Sequence, residues 1–205
     1  MGAGAFDAGL AVIGIPVHQG SANNYSQGAV RTFLPDGSGG WSEMSGAGGG
    51  TNANQGFGYA LSANSGVLAV ASHASGFPVR VLRRSGDSFQ LEASLIANDL
   101  GANEAMHSVA VAGTRIAFGV PRLSGTQQEQ GAAYLFGYSA GSWSQQQKLL
   151  SPQPQSGALF GHAMALLPNG TLLIAAPMES GAFQNEGGVH VFGPPRPELF
   201  KDGFE

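Results

Sequence analysis

A short apolar stretch recurs four times along this chain, and that recurrence limits the folds open to it. Ala11-Val-Ile-Gly-Ile-Pro16 returns as Leu68-Ala-Val-Ala-Ser-His73, Ile116-Ala-Phe-Gly-Val-Pro121 and Leu172-Leu-Ile-Ala-Ala-Pro177. The last positions lie 57, 48 and 56 residues apart. A period of this size signals stacked supersecondary units rather than one irregular core.

Other residues travel with this anchor. Phe57-Gly58 and Phe160-Gly161 precede the second and fourth copies, with Met106-His107 in that place in the third. Counting back from Pro16 reaches Met1-Gly2, so the chain starts at a repeat boundary. Downstream, Gly28-Ala-Val-Arg-Thr-Phe33, Gly131-Ala-Ala-Tyr-Leu-Phe136 and Gly187-Gly-Val-His-Val-Phe192 share a pattern, and the second unit has Gly76 to Leu82 shifted by one. A turn then leads to Trp41, Phe89 or Trp143.

Each unit reads as four short runs, in the third Ser108–Ala112, Arg115–Val120, Ala132–Tyr138 and Trp143–Leu149. Runs rich in Val, Ala, Ile and aromatics, closed by Gly-rich turns, predict strands. The second run is apolar throughout and predicts burial on both faces. The fourth alternates and suits an outer edge. This predicts an all-β fold of β-propeller blades: four repeats of four-stranded antiparallel sheets, about 1–55, 56–105, 106–159 and 160–193. The fourth unit lacks an aromatic fourth run. Either the chain is a small four-bladed ring with an incomplete last blade, or it is part of a larger propeller. The start at a repeat boundary and the lack of an export signal favour the second. Such an array would expose blade faces able to self-associate.

The order Phe-Gly, Gly-x-Pro, Gly-Ala-x-Tyr/Val-x-Phe, Trp resembles the FG-GAP repeat of integrin α-subunit propellers and of bacterial secreted proteins. Ile116 to Pro121, Gly131 to Phe136 and Trp143 carry it best, and the resemblance covers residues 1 to about 193. It implies a secreted or surface-associated propeller that presents loops for adhesion or ligand binding, and it does not imply a reaction. Some blades of that family hold calcium on an Asp-x-Asp-x-Asp-Gly loop. The corresponding loops here, Val17–Gln27, Arg122–Gln130 and Met178–Glu186, have no aspartate, so those metal positions do not carry over.

Among 205 residues there are 33 glycines, 11% charged residues, a net charge of −4 and two lysines, Lys148 and Lys201. No basic stripe exists, which argues against nucleic acid and anionic membranes as partners. No apolar run is long enough for a membrane span. With no cysteine, thiol chemistry and disulfides are excluded. Five histidines, His18, His73, His107, His162 and His190, show no metal-ligand spacing; His73, His107 and His162 sit at repeat positions and read as packing residues, and His190, between Val189 and Val191, is expected to face a neighbouring blade. Glu179 and Glu186 are two solvated loop charges, or in principle an acid–base pair. No nucleophile motif is present.

The expectation is a non-enzymatic binding module without a cofactor, taking a protein or glycan partner on its blade loops. Asn23, Asn24 and Tyr25 in the first loop, Arg122 and Glu129 in the third, and Glu179 and Glu186 in the fourth are the candidate contacts. Two alternatives stand: a non-catalytic part of a secreted carbohydrate-active enzyme, or a purely structural repeat. From Gly193 onward Pro194, Pro195 and Pro197 should stop strand pairing. Residues 194–205 then form a tail whose Phe200-Lys-Asp-Gly-Phe-Glu205 ending resembles tails of secreted bacterial repeat proteins.

Overall fold

A computed structural model describes residues 3–7, 9–17, 27–44, 47–50 and 55–193. Asn23, Asn24, Tyr25, His18 and the tail lie outside them. The described residues form fifteen strands and no helix. Blade one is β1 (Gly4–Asp7), β2 (Leu10–Ile15), β3 (Ala29–Pro35) and β4 (Trp41–Glu43). Blade two is β5 (Phe57–Asn64), β6 (Val67–Ser72), β7 (Val79–Ser85) and β8 (Ser88–Leu95). Blade three is β9 (Ser108–Ala112), β10 (Arg115–Val120), β11 (Ala132–Ser139) and β12 (Ser142–Leu149). Blade four has β13 (Ala163–Leu166), β14 (Leu172–Ala176) and β15 (Gly188–Phe192), without a fourth strand among the described residues. In every sheet, neighbours in sequence pair antiparallel, so each blade is a simple meander. The first strands β1, β5, β9 and β13 pack on one another in turn and line the axis.

Three apolar clusters join consecutive blades. Leu10, Val12 and Val30 of blade one meet Leu61, Leu68 and Val70 of blade two. Ala69, Val79 and Val81 of blade two meet Val109, Ile116 and Phe118 of blade three. Ala117 and Ala133 of blade three meet Phe160, Leu172 and Ile174 of blade four. No cluster joins blade four to blade one among the described residues, so the blades form an open arc. This decides which second strands are buried on both faces. β6 and β10 are, except for Arg115, because each lies between two blades. β2 and β14, expected to be equally buried, alternate buried with partly open positions. A terminal blade has only one neighbour to cover it.

The glycines that recur with the anchor meet at one place. A Cβ on Gly14 would lie 2.0 Å from the Gly58 carbonyl oxygen, and one on Gly119 would lie 1.9 Å from that of Gly161. A Cβ on Gly28 would strike the Phe57 backbone at 2.2 Å, and one on Gly131 the Phe160 oxygen at 2.1 Å. Gly28 pairs with Phe57 and Gly131 with Phe160 in parallel bridges between blades. The Phe-Gly and Gly-x-Pro signatures are thus two sides of one backbone-to-backbone junction, where no side chain fits. The junction of blades two and three lacks it, with Ala71 and His107 in the glycine columns.

A second clasp acts at the opposite end of the strands. The Asp7 carboxylate accepts from Ser65 N at 3.0 Å and Gly66 N at 2.8 Å, on the β5–β6 turn. Asn64, in the same column one blade on, accepts from Gly113 N at 2.9 Å. The column ends at Ala112, which has no acceptor to offer blade four.

Candidate functional site

The site begins at a bulge. Register slips between Phe57 and Ala60 in β5, and Gly58 there takes φ +87°. The slip leaves Tyr59 unpaired with β6 and frees its ring to meet the imidazoles around it. In blade three His107 stands in the glycine column just before β9. His162 follows Phe160-Gly161 and occupies the Tyr59 column before β13. His73 closes β6 in the anchor's proline column.

These four side chains form one row. His73 stacks on Tyr59 with ring centroids 4.7 Å apart and planes 17° from parallel. Tyr59 meets the edge of His107 at 5.2 Å, and His107 lies 4.4 Å from His162. His107 Nδ1 is 3.2 Å from the carbonyl oxygen of His162, which only accepts, so Nδ1 carries the proton. Neutral Nε2 then accepts from the Tyr59 hydroxyl at 2.8 Å. Burial holds His107 below the ordinary histidine range, although the bond to His162 works the other way. The His162 and His73 rings and the Arg122 guanidinium add to the lowering. The row is therefore uncharged at neutral pH at its centre.

Beside the row lies an open cavity of about 360 Å³ walled by Ala3, Leu61, Val109 and Met164 with Tyr59, His107 and His162. Ser108 also lines it, but its hydroxyl donates to the Gly161 carbonyl at 2.7 Å. Among the described residues no three His, Asp or Glu side chains gather as metal ligands.

The loops after β10 and β14 rise at this same end of the strands and share one conformation. Ser124 Oγ accepts from Glu129 N, and Ser180 Oγ from Asn185 N, both at 3.0 Å. Gln130 Oε1 accepts from Gln127 N at 2.8 Å, and Glu186 Oε2 from Phe183 N at 3.2 Å. Glu129 and Asn185 both have positive φ. The candidate contacts therefore divide. Glu186 is a staple on the backbone of its own loop, accepting also from Ala182 N. Glu129 pairs with exposed Arg122 at 3.2 Å. Glu179 pairs with His190 at 2.6 Å, in a half-buried position against Phe160. Glu179 and Glu186 thus have separate partners rather than each other. Exposed Arg122, Met178 and Phe183 complete this rim.

Sequence reading placed Arg122, Glu129, Glu179 and Glu186 in the third and fourth loops and read His73, His107 and His162 as packing residues. The four rings come from three different columns of the repeat, so no spacing reveals that they touch. The one visible signal was the pair of departures from the pattern, His73 for proline and His107 for glycine.

No family model and no curated protein matches the chain. Solved structures do. Sqt1 from Chaetomium thermophilum is 16% identical over 93% of this chain and 43% of its own, with a TM-score of 0.55. The intramolecular trans-sialidase from Ruminococcus gnavus is 12% identical over 91% of this chain and 41% of its own, with a TM-score of 0.47. YCF48, solved bound to D1 peptide, is 12% identical over 94% and 67%, with a TM-score of 0.43. The chain spans about two fifths of the length of the first two. With its radial four-stranded meanders and its likeness to the first of these structures, this chain has the β-propeller fold.

Proposed function

We propose that the chain is a non-enzymatic, FG-GAP-type binding module that takes a protein partner on the face bearing the ring row and the 122–130 and 178–186 loops. The observation that carries this reading is the composition of that face. A row of four rings and an apolar cavity are rimmed by Arg122, Met178 and Phe183, residue types enriched at the cores of protein interfaces. The paired loops are rigidly hydrogen-bonded, so they present these side chains at little entropic cost. The acidic groups support the scaffold, which speaks against their serving as acid and base. The resemblance of the repeats further supports a secreted or surface location, to be checked by fractionating cells that make the protein.

The test is affinity capture from native material with the wild type and an R122A/F183A variant, followed by calorimetry on each recovered protein. The expected result is a partner bound by the wild type and weakened at least tenfold by the variant. A partner unaffected by this variant and by Tyr59→Ala would overturn the reading. Glycan-array binding lost with Tyr59→Ala would replace it with a sugar-binding role, since phenol and imidazole rings also stack on sugars.

A further inference from the structure

Every junction in the array joins the same two surfaces, and each surface is also left over once. The forward surface of a blade offers one column of its second strand and one of its third. These are Val12 with Thr32 in blade one, Ala69 with Val81 in blade two and Ala117 with Leu135 in blade three, each a registered cross-strand pair. The backward surface offers the other column, with Val70, Phe118 and Ile174 at its centre, all fully buried.

Blade four repeats the forward surface without a neighbour among the described residues. Ala163, Ala175 and Val189 form one registered row, and Ala165, Leu173 and Val191 the next. Both rows are wholly apolar. Val189 and Val191 are each 66% exposed, while Val79 and Val81 in the same columns of blade two are fully buried. Blade one repeats the backward surface without a neighbour among the described residues. Ile13, in the column of Val70, Phe118 and Ile174, is 46% exposed, and Phe6 beside it is 77% exposed. Arg31 stands in the column of Arg80, which at the first internal junction lies over the Phe57 ring, 5.3 Å from its centroid.

We propose that the forward surface of blade four docks on the backward surface of blade one in a second copy of this chain, giving a head-to-tail dimer. The occupant follows from the molecule itself, because these two surfaces meet at all three junctions within the chain. Two such contacts around a two-fold axis close a ring of eight blades, within the range of about four to eight that propellers adopt. Heterologous contacts of this kind are stable in solution when the rotation closes.

Light scattering on the eluting 205-residue protein should give a dimer near 42 kDa, twice the 20.9 kDa chain. V189E/V191E and Ile13→Glu should each elute as monomers, with circular dichroism of the wild type, since these side chains touch no internal junction. Mixing the two variants should restore a dimer, because the intact blade-one surface of the first fits the intact blade-four surface of the second. A wild-type monomer at all concentrations would overturn the proposal and leave these surfaces to some other segment or protein. A dimer that survives either variant, a filament, or failure of the mixture to reassociate would overturn it as well.

Discussion

At the scale of single residues, glycine placement is the most exacting demand of this fold. Gly131 and Gly141 share φ +83°, yet a Cβ on Gly131 would meet the Phe160 backbone at 2.1 Å and one on Gly141 would meet nothing. Gly141→Ala should therefore cost only the strain of a left-handed residue, about 1 kcal/mol. Gly131→Ala should cost about 2–4 kcal/mol, because it also forces two blades apart. Urea denaturation of both variants measures the difference, and equal losses would show that close approach at the blade junction adds nothing to the cost. His107 gives a pH dependence. Its folded-state pKa lies below the ordinary 6.5, so the stability it protects is fully present above pH 6.5 and declines as the pH falls below that value. Protonation places charge beside Tyr59, His73, His162 and Arg122. Thermal melts from pH 8 down to pH 5 should show this decline, and His107→Gln should flatten it.

At the scale of elements, the second strands carry the core unequally. Phe118 in β10 is fully buried between Tyr134 and Phe136, with ring centroids 5.5 Å and 5.3 Å away. Phe118→Ala should cost about 3–5 kcal/mol, and Phe118→Asp should abolish soluble expression, since an unpaired buried charge finds no compensation. The turn clasps are a smaller term. Asp7→Ala removes two charge-assisted bonds to Ser65 and Gly66 and should cost about 1–3 kcal/mol. Denaturant titration checks both, and a larger loss for Asp7→Ala than for Phe118→Ala would contradict this ranking. In the loops, Ser124 and Ser180 do the same work at offsets of five residues. Arg122 to Gln130 and Met178 to Glu186 share Ser-Gly and a Gln three residues on, but the staple at the last position is Gln130 in one and Glu186 in the other, so the letters do not show that both side chains accept from the equivalent backbone amide.

At the scale of the whole molecule, stability in a stacked array is the sum of each unit and its contacts with neighbours. Blades two and three have two neighbours each, and blades one and four have one. In the monomeric V189E/V191E variant, amide exchange should therefore be slowest in β6 and β10 and fastest in β1, β4 and β13, with β14 between them. In the wild type a second copy covers both terminal surfaces, so β2 and β14 should exchange more slowly than in the variant, and equal exchange in the two proteins would mean that no second copy covers them.

The sequence by itself determined the blade. The fourfold anchor marks β2, β6, β10 and β14, the runs of blade three match its strands to within a residue, and the described residues of blade four hold no fourth strand, in line with the missing aromatic run. Period and apolar alternation are local properties, fixed by what a single strand must bury, so they can be read without neighbours. The glycine columns were equally visible, but their reason was not. Only the tertiary structure showed that Gly14 meets Gly58 and that Gly119 meets Gly161, because a repeat pattern aligns equivalent positions and contacts join inequivalent ones. The same limit hid the row from His73 to His162, which draws its rings from three columns of the repeat. It also hid the exposure of Ile13, whose column is apolar in every unit and buried in three of them. Burial there is decided by whether another blade stands alongside, and no residue in the strand itself records that.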